Sequence, residues 1–175
     1  MNIAISGHTK GIGNACCKLL EKSHQIIGLS RETGFDINDR PRVISAIKDA
    51  DVFINNAYAG YSQAYLLHEL LAIWQHERKI IINIGSSCTR YRRAEQHLDH
   101  LPWEYRDHKM ALDSVFRTSI NLTPVCSVHL LSPGPVDTDM VKHVNCKKLK
   151  PDAVAEAAQL MIRTPSIIEL VLYAK

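Results

Sequence analysis

Long apolar runs, paired cysteines and blocks of like charge are missing from this sequence, and each absence removes a class of protein. No apolar stretch approaches the roughly 20 residues that span a bilayer, and Met1-Asn2-Ile3-Ala4-Ile5 has no basic segment ahead of a long apolar one. Neither a membrane span nor a secretory leader is expected. The five cysteines, Cys16, Cys17, Cys88, Cys126 and Cys146, are odd in number and hold no C-x-x-C pair, against both a disulfide framework and a zinc knuckle. A reducing compartment follows, and the expected location is cytoplasmic. A formal net charge of +3 without a continuous basic stripe argues against a nucleic-acid partner and leaves a small anionic molecule compatible.

No repeat, low-complexity tract or Pro/Gly-rich linker divides the 175 residues, so residues 1–175 read as one domain, long enough to bury a core on both sides of a sheet. Short Ile/Val-rich runs at 3–6, 25–30, 51–55, 79–84, 125–131 and 167–172 are bounded by turn or polar residues and read as buried strands. Between them, segments 13–22, 41–49, 65–76, 103–120 and 152–162 have helical character, the second opening on a helix-compatible Pro. Alternation of strand and helix predicts an α/β fold with a doubly wound parallel sheet, a Rossmann fold.

The first strand runs into Ser6-Gly7-His8-Thr9-Lys10-Gly11-Ile12-Gly13 and then a helix. Such a turn needs residues without side chains, so that the backbone bends sharply and approaches a pyrophosphate at the helix N-terminus, where free N–H groups and the helix dipole favour anions. A turn without a ligand is the plainer alternative; the strand before it and the helix after it favour the nucleotide.

The spacing Gly-x-x-x-Gly-x-Gly resembles that of the short-chain dehydrogenase/reductase family, and further motifs follow in family order from residue 6 to residue 138. Asn55-Asn56-Ala57 is similar to the family's Asn-Asn-Ala-Gly at the end of the fourth strand, with Tyr58 where glycine is usual. Asn83-Ile84-Gly85-Ser86 looks like the strand end that carries the catalytic serine, and Tyr105-Arg106-Asp107-His108-Lys109 matches Tyr-x-x-x-Lys. Pro133-Gly134-Pro135-Val136-Asp137-Thr138 resembles the Pro-Gly motif with its downstream threonine, and Asp36-Ile37 the adenine-contacting Asp after the third strand. The resemblance implies a nicotinamide cofactor held by Ser6, Gly7, Thr9, Lys10, Gly11, Ile12, Gly13, Ser30, Arg31, Asp36, Asn55, Asn56, Ala57, Tyr105, Lys109, Pro133, Gly134, Val136 and Thr138.

Chemistry points to the same three residues for catalysis. Reduction of a carbonyl requires a proton donor beside the oxygen, and Tyr105 is the candidate. A free tyrosine titrates near ~10, and the ammonium of Lys109 is expected to lower that value. Four residues apart on a helix, the two side chains share a face about 6 Å apart along the axis, so both can reach one pocket. Ser86, at a strand's carboxyl end, would orient the substrate carbonyl. The resemblance gives Lys109 a second role on the nicotinamide ribose. Singly, Ser86 reads as well as a capping serine, and Tyr105 and Lys109 as a half-buried aromatic beside a solvated lysine; together, after a nucleotide turn, they read as a site.

Many family members carry a catalytic asparagine between the Asn-Asn-Ala motif and the serine. No Asn lies between Asn56 and Asn83 here; Ser62 or Gln63 falls near its place, and a Gln amide could hold a water as Asn does. NADP(H) is the expected cofactor, because Lys10 lies in the glycine turn and Arg31 directly follows Ser30, where an NAD site would place an acid. Glu32 is one residue further on; surface cations are the alternative for Lys10 and Arg31. Arg90, Arg92 and Arg93 lie in the long connection 87–102, read either as a lid meeting an anionic small-molecule substrate or as a solvated basic loop. His97 and His100 lack the partners of a recognised metal site, so no metal is expected. Two functions remain open: a carbonyl/alcohol oxidoreductase, and a non-catalytic NADP-binding sensor or scaffold, which would not need the Tyr-x-x-x-Lys pair.

Overall fold

A computed structural model describes residues 1–90 and 103–174. Strands β1 (Asn2–Ser6), β2 (Gln25–Leu29), β3 (Val52–Asn55), β4 (Ile80–Ile84), β5 (Ser127–Pro133) and β6 (Glu169–Leu172) form one sheet in the order β2-β1-β3-β4-β5-β6, every neighbouring pair parallel. Between them run helices α1 (Gly11–Leu20), α2 (Arg40–Ile47), α3 (Ser62–Trp74), α4 (Trp103–Asn121) and α5 (Pro151–Arg163). The expected doubly wound α/β sheet is the observed one. The chain steps outward from β1 to β2 and then returns to the other side of β1 with β3. That reversal opens a crevice at the carboxyl ends of β1 and β3, where ligands bind in such sheets.

Strand side chains alternate between two buried faces, which is why the strands read as continuous apolar runs. Ile3, Ile5, Val52, Ile54, Ile82 and Ile84 face α1 and α5, whose seam is built from small side chains such as Ala15, Cys16, Ala155 and Ala158. Ala4, Phe53, Ile81 and Leu130 face the opposite layer, with Leu66, Leu70 and Trp74 of α3 and Leu112 and Phe116 of α4. Truncating a fully buried aromatic such as Phe53 would cost about 3–5 kcal/mol.

Of the boundaries that differ from the sequence reading, three have a local reason. Strand β2 stops before Ser30, because Ser30 and Thr33 cap each other: Ser30 Oγ accepts from Thr33 N at 3.3 Å and Thr33 Oγ1 from Ser30 N at 3.0 Å. Helix α3 begins at Ser62, which brings Gln63 into its first turn. Val125 lies outside β5, its N–H donating instead to Gln75 O at 2.7 Å.

The family's strand numbering does not carry over. Its Asp follows a third strand and its Asn-Asn-Ala motif closes a fourth; here, as the strand reading placed them, only β1 and β2 precede Asp36, and Asn55 closes β3. The segment from Ser30 to the α2 cap at Asp39 holds only a capped 3-10 turn, Arg31–Thr33. A further parallel strand would need a crossover of about a dozen residues or more.

Candidate active site

The glycine turn after β1 is tight at two places. Gly7 has φ +69°, and a Cβ there would stand 2.9 Å from Asn56 Nδ2; a Cβ on Gly13 would stand 2.1 Å from Gly7 O, so the start of α1 can pack on the turn only with glycine. The loop after β3 is stitched to the same turn. Ser6 Oγ accepts from Asn56 N at 2.9 Å and Ala57 N at 3.0 Å, and Asn56 Nδ2 donates to Ser6 O at 2.9 Å. At the head of α1, Lys10 makes no side-chain cap and no acid occupies the first turn, so the leading N–H groups and the dipole are free to meet an anion.

Most of these residues line a cleft of about 1440 Å³, larger than the ~300–1,000 Å³ of pockets for one drug-sized ligand and thus roomy enough for a dinucleotide and a substrate together. Of the residues expected to touch a cofactor, all but two line it: Ser6, Gly7, Thr9, Lys10, Gly11 and Ile12 from the turn, Ser30, Arg31 and Asp36 after β2, Asn56 and Ala57 after β3, Tyr105 and Lys109 on α4, and Pro133, Gly134, Val136 and Thr138 after β5. Gly13 and Asn55 do not. Gly13 is consumed by packing against Gly7. Asn55 is fully buried beneath the cleft, its Nδ2 donating to Gln63 O and to Asn83 Oδ1, both at 3.0 Å.

Ser86, Tyr105 and Lys109 all line this cleft, with Lys109 Nζ 5.7 Å from the centroid of the Tyr105 ring. Ser86 ends the loop after β4 and caps the 3-10 turn Ser87–Thr89, its Oγ accepting from Cys88 N at 3.4 Å, so the capping role read from sequence is present beside any catalytic one. The Lys109 ammonium donates to Gln63 Oε1 and to Ile84 O, both at 2.8 Å, and is 4% exposed as a residue. Of the two stand-ins for an asparagine, only Gln63 reaches the site; Ser62 turns away and donates to Asn38 Oδ1 at 2.6 Å.

No family model and no curated protein sequence matches the chain. Solved structures do. The 3-alpha-hydroxysteroid dehydrogenase from Pseudomonas sp. B-0831, complexed with NADH, matches with a TM-score of 0.77 and 16% identity over 98% of this chain and 95% of its own. A short chain dehydrogenase from Burkholderia cenocepacia J2315 in complex with NADP gives 0.78 and 16% over 99% and 88%. The 3-ketoacyl-(acyl-carrier-protein) reductase from Brucella melitensis, complexed with NADH, gives 0.74 and 20% over 98% and 96%. The fold is that of the short-chain dehydrogenases.

Within this short-chain dehydrogenase fold, the electrostatics correct one expectation. Lys109 was expected to lower the Tyr105 pKa; instead burial pushes the phenol up, with Cys88 and then Tyr58 adding to the rise and a hydrogen bond with Ser86 opposing it. The lysine loses its own proton before the phenol ionises, so it cannot hold the phenolate down. The Lys109 Nζ is 5.7 Å from the centroid of the Tyr105 ring and is committed to Gln63 and Ile84 O. Burial also drags Lys109 itself down to about 8. Tyr105 is therefore a neutral phenol across the physiological range, which is the form that can donate a proton.

Tyr58, where the family has glycine, was not singled out as a site residue. Its ring packs 5.0 Å from that of Tyr105, centroid to centroid, and its hydroxyl shares a 2.8 Å hydrogen bond with His108 Nδ1. The departure from Asn-Asn-Ala-Gly was the signal that marked it.

The arginine loop does not read as a lid at its one described member. Arg90 does not line the cleft; it pairs with Asp113 Oδ1 at 2.8 Å and with Glu169 Oε1, tying α4 to β6, while Arg117 meets the other oxygens of both acids. Arg92, Arg93, His97 and His100 lie outside the described residues, among which no group of three or more His, Cys, Asp or Glu could hold a metal. Arg90→Gln is expected to lower stability by about 1–3 kcal/mol, below the cost of breaking a fully buried pair because the partners are part-exposed. Urea melts of parent and variant measure it, and an unchanged midpoint would remove the network from the account. No helix among the described residues is long and apolar enough to cross a membrane.

Proposed function

We propose that this chain is a single-domain, NADP(H)-dependent member of the short-chain dehydrogenase/reductase family that interconverts a carbonyl and an alcohol on a small molecule. The observation that carries the reading is that Ser86, Tyr105 and Lys109 line the same cleft as an uncapped glycine turn. When bound, a nicotinamide supplies or removes the hydride. The protein's part is to place and protonate. The leading N–H groups of α1 would take the pyrophosphate, and the remaining N–H of Lys109 a ribose hydroxyl. Ser86 would hold the substrate oxygen beside Tyr105. As hydride reaches carbon, that oxygen becomes more basic than a phenolate, so the proton moves downhill from Tyr105 even though burial makes it a weak acid.

Preference for NADP(H) rests on the rim. Lys10 and Arg31 both edge the cleft beside Ser30, and neither is buried. Lys10 Nζ lies 3.6 Å from Glu32 Oε1, an exposed pair that water screens and that a 2′-phosphate would displace. Arg31→Ala and Lys10→Ala are each expected to cut NADPH affinity by roughly tenfold and to leave NADH affinity nearly unchanged. Calorimetric titration of both cofactors against the three proteins tests this. A parent that binds NADH as tightly as NADPH, or equal losses for the two, would refute the preference; a parent that binds neither would refute the function.

A further inference from the structure

We propose that Gln63 is a positioning residue for this reaction, a fixed anchor that holds the Lys109 ammonium by direct contact and takes no part in moving protons. The proposal rests on the reductase reading of the cleft but is argued from the hydrogen bonds around one amide. Gln63 is 2% exposed, and its Nε2 lies 2.6 Å from Asn55 O and 3.1 Å from Ile84 O. Both neighbours are carbonyls and can only accept, so the NH2 must face them and both of its hydrogens are used. The amide's orientation is thereby set. Oε1 is left as an acceptor aimed at Lys109 Nζ, 2.8 Å away.

Ile84 O, which accepts from Gln63, accepts from Lys109 as well, so amide and ammonium are joined through one strand end. Two of the three N–H groups of Lys109 are thus taken by oxygens of β4 and α3. The third is left for the cleft, where the rings of Tyr58 and Tyr105 each stand 5.7 Å from Nζ and favour a cation there. Among the described residues, the titratable groups facing the ammonium are Tyr58 from the loop after β3, Tyr105 from its own helix and Cys88 from the turn after β4. None is a carboxylate, so neutral acceptors carry the hydrogen bonds of this buried ammonium.

A relay member must take a proton on one side and release one on the other. Here the NH2 of Gln63 ends on two backbone carbonyls and its oxygen on the lysine, and a neutral amide does not ionise in the physiological range. No proton passes through this amide, and Gln63 sets where Lys109 sits and whether it is charged.

The test follows Lys109 itself, through the side-chain nitrogen NMR signal of the intact, cofactor-free protein, assigned by Lys109→Met. Gln63→Glu keeps the acceptor and adds charge; it is expected to move the Lys109 titration up by about one unit, tenfold in the protonation equilibrium. Gln63→Leu removes the acceptor and is expected to move it down by a similar amount, with NADPH affinity at neutral pH falling about tenfold. Gln63→Asn, one methylene short of Nζ, is expected to behave as the Leu variant does, whereas a water-held relay would tolerate it. Should Gln63→Leu fail to fold, as a melting curve would show, the Glu and Asn variants carry the comparison. A Lys109 titration that stays put in the folded variants overturns the anchor, as does an Asn variant indistinguishable from the parent. Loss of NADPH binding by the parent itself would instead strike the functional reading, and the NMR titration would still decide the anchor.

Discussion

Tyr105→Phe is expected to bind NADPH as the parent does and to turn over carbonyl substrates about 10²–10⁴-fold more slowly, the range that positioned general acids contribute. The change deletes one hydroxyl and leaves the ring, which packs against Tyr58 at 5.0 Å and helps wall the cleft. Cofactor affinity should therefore survive. Ser86 is not expected to replace the lost donor, since its Oγ caps the turn after β4 and an alcohol is a weaker acid than a phenol. Because burial holds Tyr105 protonated, carbonyl reduction should be insensitive to pH through the neutral range, and the reverse oxidation, which needs the phenolate, should rise with pH. Steady-state kcat for parent and variant, with NADPH titrated in parallel, is the measurement. A variant at the parental rate would take the acid role away from Tyr105 and return the cleft to the non-catalytic binding reading.

Lys109→Met is expected to change how stability depends on pH as well as how the site works. The folded-state value of Lys109 is about 8, below the 10.5 of an exposed lysine, so at intermediate pH the unfolded chain holds a proton that the folded chain has released. Stability therefore rises with pH across that window, and the cost of burying the charge is felt in full below it. From about pH 7.5 to about pH 9.5 this one group should stabilise the parent, relative to Lys109→Met, by about 2 kcal/mol. Cys16 and Cys17, raised to about 12 and about 11 by burial, act with the opposite sign above about pH 9, since the unfolded thiols ionise first. They are common to both proteins and cancel in the difference. Urea unfolding of the two at several pH values gives the result, and parallel curves would mean that Lys109 is not desolvated as its 4% exposure implies.

Much of this architecture was legible because its causes are local or periodic. Buried parallel strands must be apolar on both faces, so all six announced themselves as Ile/Val runs, and the order of motifs along them matched the order of parts around the cleft. Glycine positions were legible for the same reason: Gly7 and Gly13 are where a Cβ would strike Asn56 and Gly7 O. What the sequence could not carry was the outcome of competition between partners distant in the chain. Asn55 belongs to a motif, yet its side chain is spent on Gln63 O and Asn83 beneath the cleft. Arg90 reads as a loop cation until β6 brings Glu169 beside it, a separation of 79 residues. Lys109 four residues after Tyr105 looks like a group that acidifies a phenol, but burial raises the phenol and drags Lys109 itself down to about 8, so the lysine is neutral before the phenol ionises. The sequence by itself determined the parallel α/β sheet and the glycine turn, because backbone geometry and burial act on each position separately. Only the tertiary structure decided which donor meets which acceptor and which groups keep their charge, because those depend on desolvation and on neighbours that folding brings together.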